Sequence, residues 1–306
     1  MSDVTAQLVD DEQRDRLVRR FGAGARNWLA AMPALVDEIA REWGLTIDGP
    51  APHGATSVVL YCRREDGTPA VLKVGPEPRL IRNEAQILRL WEGTRRVPEV
   101  WQVDGRRGGL LMEAISPGRS IAEAERAPTV EEIAALIADL HGADIPERDR
   151  GRLHPLHSRI HFVFDLWERY RADGLAAEFV PASVLHHGHA RARALASGED
   201  DLVPLHGDLH PGNVLDGGPE RGLVAVDPRG CLGDAAADAA DWALWRVESV
   251  EEIEHRAAIL ATGVGVPTER LLAWARALAP IMAIAVANRG GASSASFATL
   301  MDFGSC

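Results

Sequence analysis

The stretch from Leu205 to Asp227 constrains this chain more than any other. It reads Leu-His-Gly-Asp-Leu-His-Pro-Gly-Asn-Val-Leu, continues through a turn-rich gap, and closes on Leu-Val-Ala-Val-Asp-Pro. Glycine and proline make the first part a loop. The apolar run Leu223–Val226 then reads as a short buried strand that delivers Asp227 at its end. Three oxygen-bearing side chains spaced in this way suit phosphoryl transfer. Asp208 can orient a substrate hydroxyl and accept its proton, while the Asn213 carboxamide oxygen and the Asp227 carboxylate can hold Mg2+ against nucleotide phosphates. Such chemistry is mostly positioning and charge neutralisation, so a few rigidly placed oxygens suffice. A surface turn with solvated acids would account for a lone His-x-Asp, but not for the whole spacing.

H-x-D-x-x-x-x-N followed by an apolar strand ending in Asp resembles the catalytic loop and metal-binding Asp of protein kinases. The version here, His206-Gly207-Asp208-Leu209-His210 with Asn213, resembles the aminoglycoside phosphotransferase branch of that superfamily. Pro228 and Arg229 stand where protein kinases carry Phe-Gly, and no A-P-E follows at the expected distance, which points to small-molecule kinases. The resemblance implies an α+β fold of two lobes, protein-kinase-like, with a small antiparallel-sheet N-lobe and a larger helical C-lobe.

Lys73 is the only lysine in the chain; with 33 basic residues in all, the other 32 are arginines. A compact ammonium reaching between two phosphates is one task arginine cannot take over. Val71-Leu72-Lys73-Val74 places Lys73 inside a strand, where a buried charge needs a partner. The next element, a helix over about 79–91, carries Glu84. This pairing resembles the kinase ion pair that holds the α- and β-phosphates. Lys73 is not preceded by a Walker A sequence.

Three sections are expected: a helical segment over 1–44, a nucleotide-binding lobe over 45–114 and a catalytic, substrate-binding lobe over 115–306. Residues 10–20 and 26–43 read as helices, and Asp48-Gly49-Pro50 as a break. Thr56–Arg63 and Ala70–Val74 read as a hairpin, with backbone around Gly54 placed to cover phosphates. A second strand pair, Glu99–Val103 and Gly109–Glu113, runs into Ser116-Pro117-Gly118. An apolar strand ending in this breaker resembles the hinge between kinase lobes, which implies that an adenine would take backbone hydrogen bonds near Glu113–Ile115, with Met112 close to the base; the alternative is a plain edge strand and loop. Helices follow over 128–141 and 158–171. The second carries His157, His161, Asp165 and Glu168 along one face. That face reads as solvated, or as an acidic patch toward the acceptor; a metal site there lacks any flanking cysteine or other ligand motif. His210 and Asp241 are further candidates for the acceptor side; the alternatives are a solvated Asp241 and a His210 with a structural place beside Asp208. Asp238, in an alanine-rich helix, needs backbone donors; the resemblance to the kinase superfamily implies that it braces the catalytic loop. His186, His187 and His189 are expected before a helix, on the surface. Leu271–Ala287 reads as a buried helix broken near Pro280, not a membrane span, and the Gly/Ser/Ala-rich tail after Gly290 as loose to at least Ser296.

A net charge of −12 without a basic face speaks against nucleic acid and is compatible with a cationic acceptor. The acidic, polar start is no signal peptide, and three distant cysteines suggest a reducing cytoplasm. The resemblance narrows further. Arg26–Asp37, Trp43-Gly44-Leu45 and Asp48-Gly49-Pro50, with Lys73, His206–Asn213, Val226-Asp227-Pro228 and Gly233-Asp234 before Asp238, resemble the streptomycin 6-phosphotransferase and hydroxyurea phosphotransferase family. It implies ATP- (or GTP-) and Mg2+-dependent O-phosphorylation of a small molecule, plausibly the antibiotic streptomycin, with resistance as the outcome. Carried over residue by residue, Asp208 becomes the base, Asn213 and Asp227 the metal ligands, and Lys73, supported by Glu84, the phosphate clamp. The alternatives are a kinase of another antibiotic or metabolite, such as hydroxyurea, a tuberactinomycin-type peptide or a nucleoside, and a non-catalytic nucleotide-binding module.

Overall fold

The computed structural model describes residues 8–51, 56–124, 127–198 and 202–305. Two compact units result: Met1–Glu92 with Val97–Gly118, and Gly93–Arg96 with Arg119–Cys306.

The first unit opens with helices α1 (Asp11–Phe21) and α2 (Gly24–Trp43), followed by strands β1 (Leu45–Pro50), β2 (Val58–Arg64) and β3 (Pro69–Val74), helix α3 (Pro78–Trp91), and strands β4 (Val100–Asp104) and β5 (Gly109–Glu113). The five strands form one antiparallel sheet in the order β1-β2-β3-β5-β4. Leu17 of α1 and Leu29, Met32, Val36 and Ile39 of α2 share a core with Val58, Leu60, Ala70, Leu72 and Val74 of the sheet. The N-terminal helices therefore belong to the same packed unit as the strands. Alternation along β3 sends Ala70, Leu72 and Val74 into this core and leaves Lys73 on the opposite face. Asp48-Gly49-Pro50 is the end of an edge strand, with a register shift between Ile47 and Gly49. Proline is tolerated there because an edge position can do without the missing N–H.

The second unit holds helices α4 (Val130–His141), the short α5 (Glu147–Arg150), α6 (Leu156–Asp173), α7 (Ala182–Leu195), α8 (Ala236–Leu244), α9 (Val250–Val264), α10 (Thr268–Asn288) and α11 (Ala295–Ser305). Among them lie short strands: β6 (His154–Pro155), β10 (Cys231–Gly233) and β7 (Val203–Leu205) form one sheet, while β8 (Val214–Asp216) pairs with β9 (Leu223–Ala225). Helix α10 is long and apolar enough to cross a membrane by length and composition, but it runs unbroken through Pro280 with Leu271, Trp274, Leu278, Ile281 and Ile284 buried in this lobe. Gly188 of α7 lets the two helices touch: a Cβ there would lie 2.6 Å from the Ala277 carbonyl oxygen. His186, His187 and His189 sit inside α7 rather than before it, the first two exposed and the third half-buried. The tail is helical from Ala295, because Ser294 caps it: its Oγ accepts from Phe297 N at 3.1 Å.

Candidate active site

In the first unit, Lys73 and Glu84 are both buried, and the ammonium lies 2.7 Å from each carboxylate oxygen. A pair this deep holds only because each charge satisfies the other. Met112 is buried on β5, and Glu113 and Ile115, half-buried, lead out of the sheet toward Ser116. Gly54 lies outside the described residues.

In the second unit the loop His206–Asn213 is held in shape by its neighbours. Asp238, in the first turn of α8, accepts from His206 N at 2.7 Å and Gly207 N at 3.0 Å, and meets His141 Nε2 at 3.2 Å. Burial alone would push this carboxyl up, but the hydrogen bond with His141, the electrostatics of the adjacent His141 and His206 rings and the Gly207 amide together hold it below the ordinary value. Gly207 has φ +74°, which glycine adopts without penalty. His206 is fully buried, which keeps its pKa low; its Nε2 faces the Val226 carbonyl at 3.1 Å, and since a carbonyl only accepts, Nε2 carries the proton.

Two backbone bonds tie the loop to the segment carrying Asp227: Val226 N to Asn213 O at 2.9 Å and Arg229 N to His206 O at 2.9 Å. They bracket Asp227, which has φ +58°, a left-handed conformation uncommon outside glycine and more accessible to aspartate and asparagine than to most other side chains. Such strain is sustained where surrounding bonds over-determine the backbone, commonly at functional sites. Asn213 donates through Nδ2 to Asp208 O at 2.9 Å and to Asp208 Oδ2 at 3.4 Å. The amide nitrogen is thus turned to Asp208, which leaves the carboxamide oxygen as the atom that could meet a cation. A carboxamide oxygen and a carboxylate are hard donors that suit Mg2+, which keeps several waters and takes few protein ligands.

The acceptor-side residues separate into two groups. Asp241 lies in the electrostatic neighbourhood of Asp208, with His210, Asp238 and Arg159 around it. His210 is exposed, and its Nδ1 accepts from Gly212 N at 3.1 Å, capping the turn Pro211–Asn213. The others have different engagements. Glu168 is gripped by Arg171 through two bonds of 2.9 and 2.7 Å. His161 pairs with His189 at 3.1 Å, and Asp165 is exposed, within electrostatic reach of His189. Among the described residues, no group of three or more His, Cys, Asp or Glu could hold a metal ion.

Two arginines that the sequence did not single out face the carboxylates. Arg159, on α6, lies 2.5 Å from Asp208 Oδ1, and Arg229 lies 3.1 Å from Asp227 Oδ2. Arg159 is 49 residues from Asp208, and nothing local distinguishes it among the many arginines.

Burial raises the Asp241 carboxyl to about 6, with Asp208 and Asp238 adding to the rise and His210 and Arg159 opposing it. An acid whose native value lies above its unfolded value of 3.8 loses stability as pH rises through that interval. Asp241→Asn is therefore expected to raise the melting temperature at pH 8, by on the order of 2 kcal/mol in stability, with the gain vanishing near pH 4. A gain that is the same at both pH values would show that burial of the charge is not its origin.

A lysine–glutamate pair beside an antiparallel sheet, and a loop–strand pair presenting Asp208, Asn213 and Asp227, define the protein-kinase-like phosphotransferase class. The chain matches the family described as aminoglycoside/hydroxyurea antibiotic resistance kinase over residues 42–290. It is 32% identical over 275 residues to a hydroxyurea phosphotransferase of Kitasatospora aureofaciens, covering 89% of this chain and 76% of that one. It is 35% identical over 225 residues to a streptomycin 6-kinase of Streptomyces glaucescens, covering 72% and 69%. Among solved structures, a choline kinase of Streptococcus pneumoniae shares the fold with a TM-score of 0.57 at 13% identity, over 90% of this chain and 98% of its own; a complex of that kinase with AMP is likewise similar. The chain belongs to the aminoglycoside/hydroxyurea antibiotic resistance kinase family and is a phosphotransferase.

Proposed function

We propose that the protein transfers the γ-phosphoryl group of ATP, with Mg2+, to a hydroxyl of a small molecule, foremost an aminoglycoside of the streptomycin kind, and so confers resistance. The observation that carries this reading is Asp208 held beside Asn213 and Asp227 in a chain of this family. Asp208 accepts the hydrogen bond of the acceptor hydroxyl and takes its proton as the new O–P bond forms and the bond to the leaving ADP breaks. Asn213 and Asp227 would hold Mg2+, which neutralises charge on the phosphate oxygens. Lys73, kept in place by Glu84, clamps the phosphates, and the backbone at Glu113–Ile115 receives the base. Nucleotide binding by a kinase of this fold is in keeping with the AMP complex of the choline kinase. Two described cysteines, Cys62 and Cys231, are free and buried, in keeping with a cytoplasmic setting where ATP is found.

Hydroxyurea is the second reading, favoured by the match to a hydroxyurea phosphotransferase over 89% of the chain. ADP release with Mg2+ across streptomycin, other aminoglycosides, hydroxyurea, tuberactinomycin-type peptides and common metabolites separates these readings. A streptomycin-dependent signal supports the first; a signal with another acceptor alone overturns the substrate and keeps the chemistry. Lys73→Arg is expected to raise the KM for ATP and lower kcat, together by about tenfold or more, because a planar guanidinium cannot take the place of a compact ammonium between phosphates and Glu84. Wild-type kinetics in that variant would remove Lys73 from the clamp.

A further inference from the structure

We propose that Arg159 is a positioning residue that fixes the orientation of the Asp208 carboxylate and so selects Oδ2 as the oxygen that meets the acceptor hydroxyl. The inference rests on Asp208 being the base.

Arg159 comes from helix α6, well away from the catalytic loop in sequence, yet it grips that loop twice. Its Nε donates to the Gly207 carbonyl at 2.7 Å, and its Nη2 donates to Asp208 Oδ1 at 2.5 Å. One rigid, planar guanidinium thus spans the backbone of one residue and the side chain of the next, which sets the plane of the carboxylate as a single hydrogen bond could not. The guanidinium carbon lies 5.5 Å from the Phe162 ring centroid, one turn along the same helix.

The two oxygens of Asp208 are left unequal. Oδ1 carries the short charge-assisted bond. Oδ2 has only longer contacts, 3.4 Å to Asn213 Nδ2 and 3.9 Å to Arg229 Nε. A hydroxyl needs an acceptor at about 2.6–3.2 Å in the reactive pose, and Oδ2 is the oxygen with capacity for it. A purely stabilising role accounts poorly for this pair. The Arg159 and Asp208 side chains are 15% and 28% exposed, so water still screens part of their attraction, and any stabilising share is read separately from the melting temperatures. Misplacement of a reacting group by about 1 Å, by contrast, can cost about a hundredfold in rate.

The test measures ADP release from MgATP with streptomycin, with hydroxyurea and with water alone as acceptor, for wild type, Arg159→Ala, Arg159→Lys and Asp208→Ala, using the acceptor that gives the fastest wild-type turnover. Melting temperatures are read in parallel. Arg159→Ala should lose about 10- to 100-fold in kcat with the KM for ATP nearly unchanged. Guanidinium chloride, well below denaturing concentration, should restore its kcat saturably where sodium chloride at equal ionic strength does not. Arg159→Lys should fall between the two, and guanidinium should not restore Asp208→Ala. If Arg159→Ala fails to fold, Arg159→Met, which keeps the aliphatic stem, takes its place in the rescue. Near-wild-type kcat in Arg159→Ala beside an inactive Asp208→Ala would overturn the proposal. So would a folded, inactive Arg159 variant that neither guanidinium nor Arg159→Lys restores. Full activity in Asp208→Ala would instead overturn the reading of the base itself.

Discussion

Asp208→Ala is expected to lower kcat by about 10²- to 10⁴-fold, the range typical of losing a positioned general base, while leaving ATP affinity nearly unchanged. The two effects separate because the proposed mechanism gives the nucleotide to Lys73, Asn213 and Asp227 and the acceptor hydroxyl to Asp208. Its removal also frees Asn213 Nδ2 from Oδ2, but the 2.9 Å bond from that nitrogen to the Asp208 carbonyl remains, so the Asn213 carboxamide keeps its orientation. Calorimetric ATP binding and steady-state ADP release, measured on the same preparation, check both halves. Loss of ATP binding along with turnover would contradict the separation of roles.

Asp238→Ala should have the largest effect on stability, about 3–5 kcal/mol. The carboxylate is buried, and both of its oxygens accept from the loop: Oδ2 from His206 N and Oδ1 from Gly207 N. Removal orphans two amides and the His141 imidazole contact. Asp238→Asn is no remedy, since either way round the amide nitrogen must face a backbone N–H. The pH dependence has a definite sign. A carboxyl held below its ordinary value contributes stability that is present above the unfolded value of 3.8 and lost as pH falls through the native one. The gap between wild type and Asp238→Ala in urea unfolding should therefore be widest near neutrality and narrow in acid. An equal gap at pH 7 and in strong acid would place the effect in packing rather than in the charge.

The meeting of Asp208 and Asn213 was legible because it is local: the two share one loop, and Asp227 follows the next buried strand but one. Lys73 was legible through composition, and its link to Glu84 through a strand followed by a helix. Asp238 was legible because an acid in an alanine-rich helix must find donors. What the sequence hid depends on tertiary contacts. Arg159 meets Asp208 only when α6 lies against the loop. Glu168 is a different case: its partner Arg171 is three residues on in the same helix. Local signals also misled. Gly290-Gly291 and the serines after it suggested a loose tail, yet Ser294 is a helix cap and Phe297, Leu300 and Phe303 follow at helical spacing. Asp48-Gly49-Pro50 suggested a break, yet an edge strand accommodates all three.

Mass spectrometry of the acceptor after incubation with MgATP shows whether phosphoryl transfer to a small molecule takes place. With wild-type protein, streptomycin or hydroxyurea should gain one phosphoryl group in step with ADP, and Asp208→Ala should produce neither. ADP formed without any phosphorylated acceptor, or a phosphorylated acceptor formed equally well by Asp208→Ala, would contradict the account.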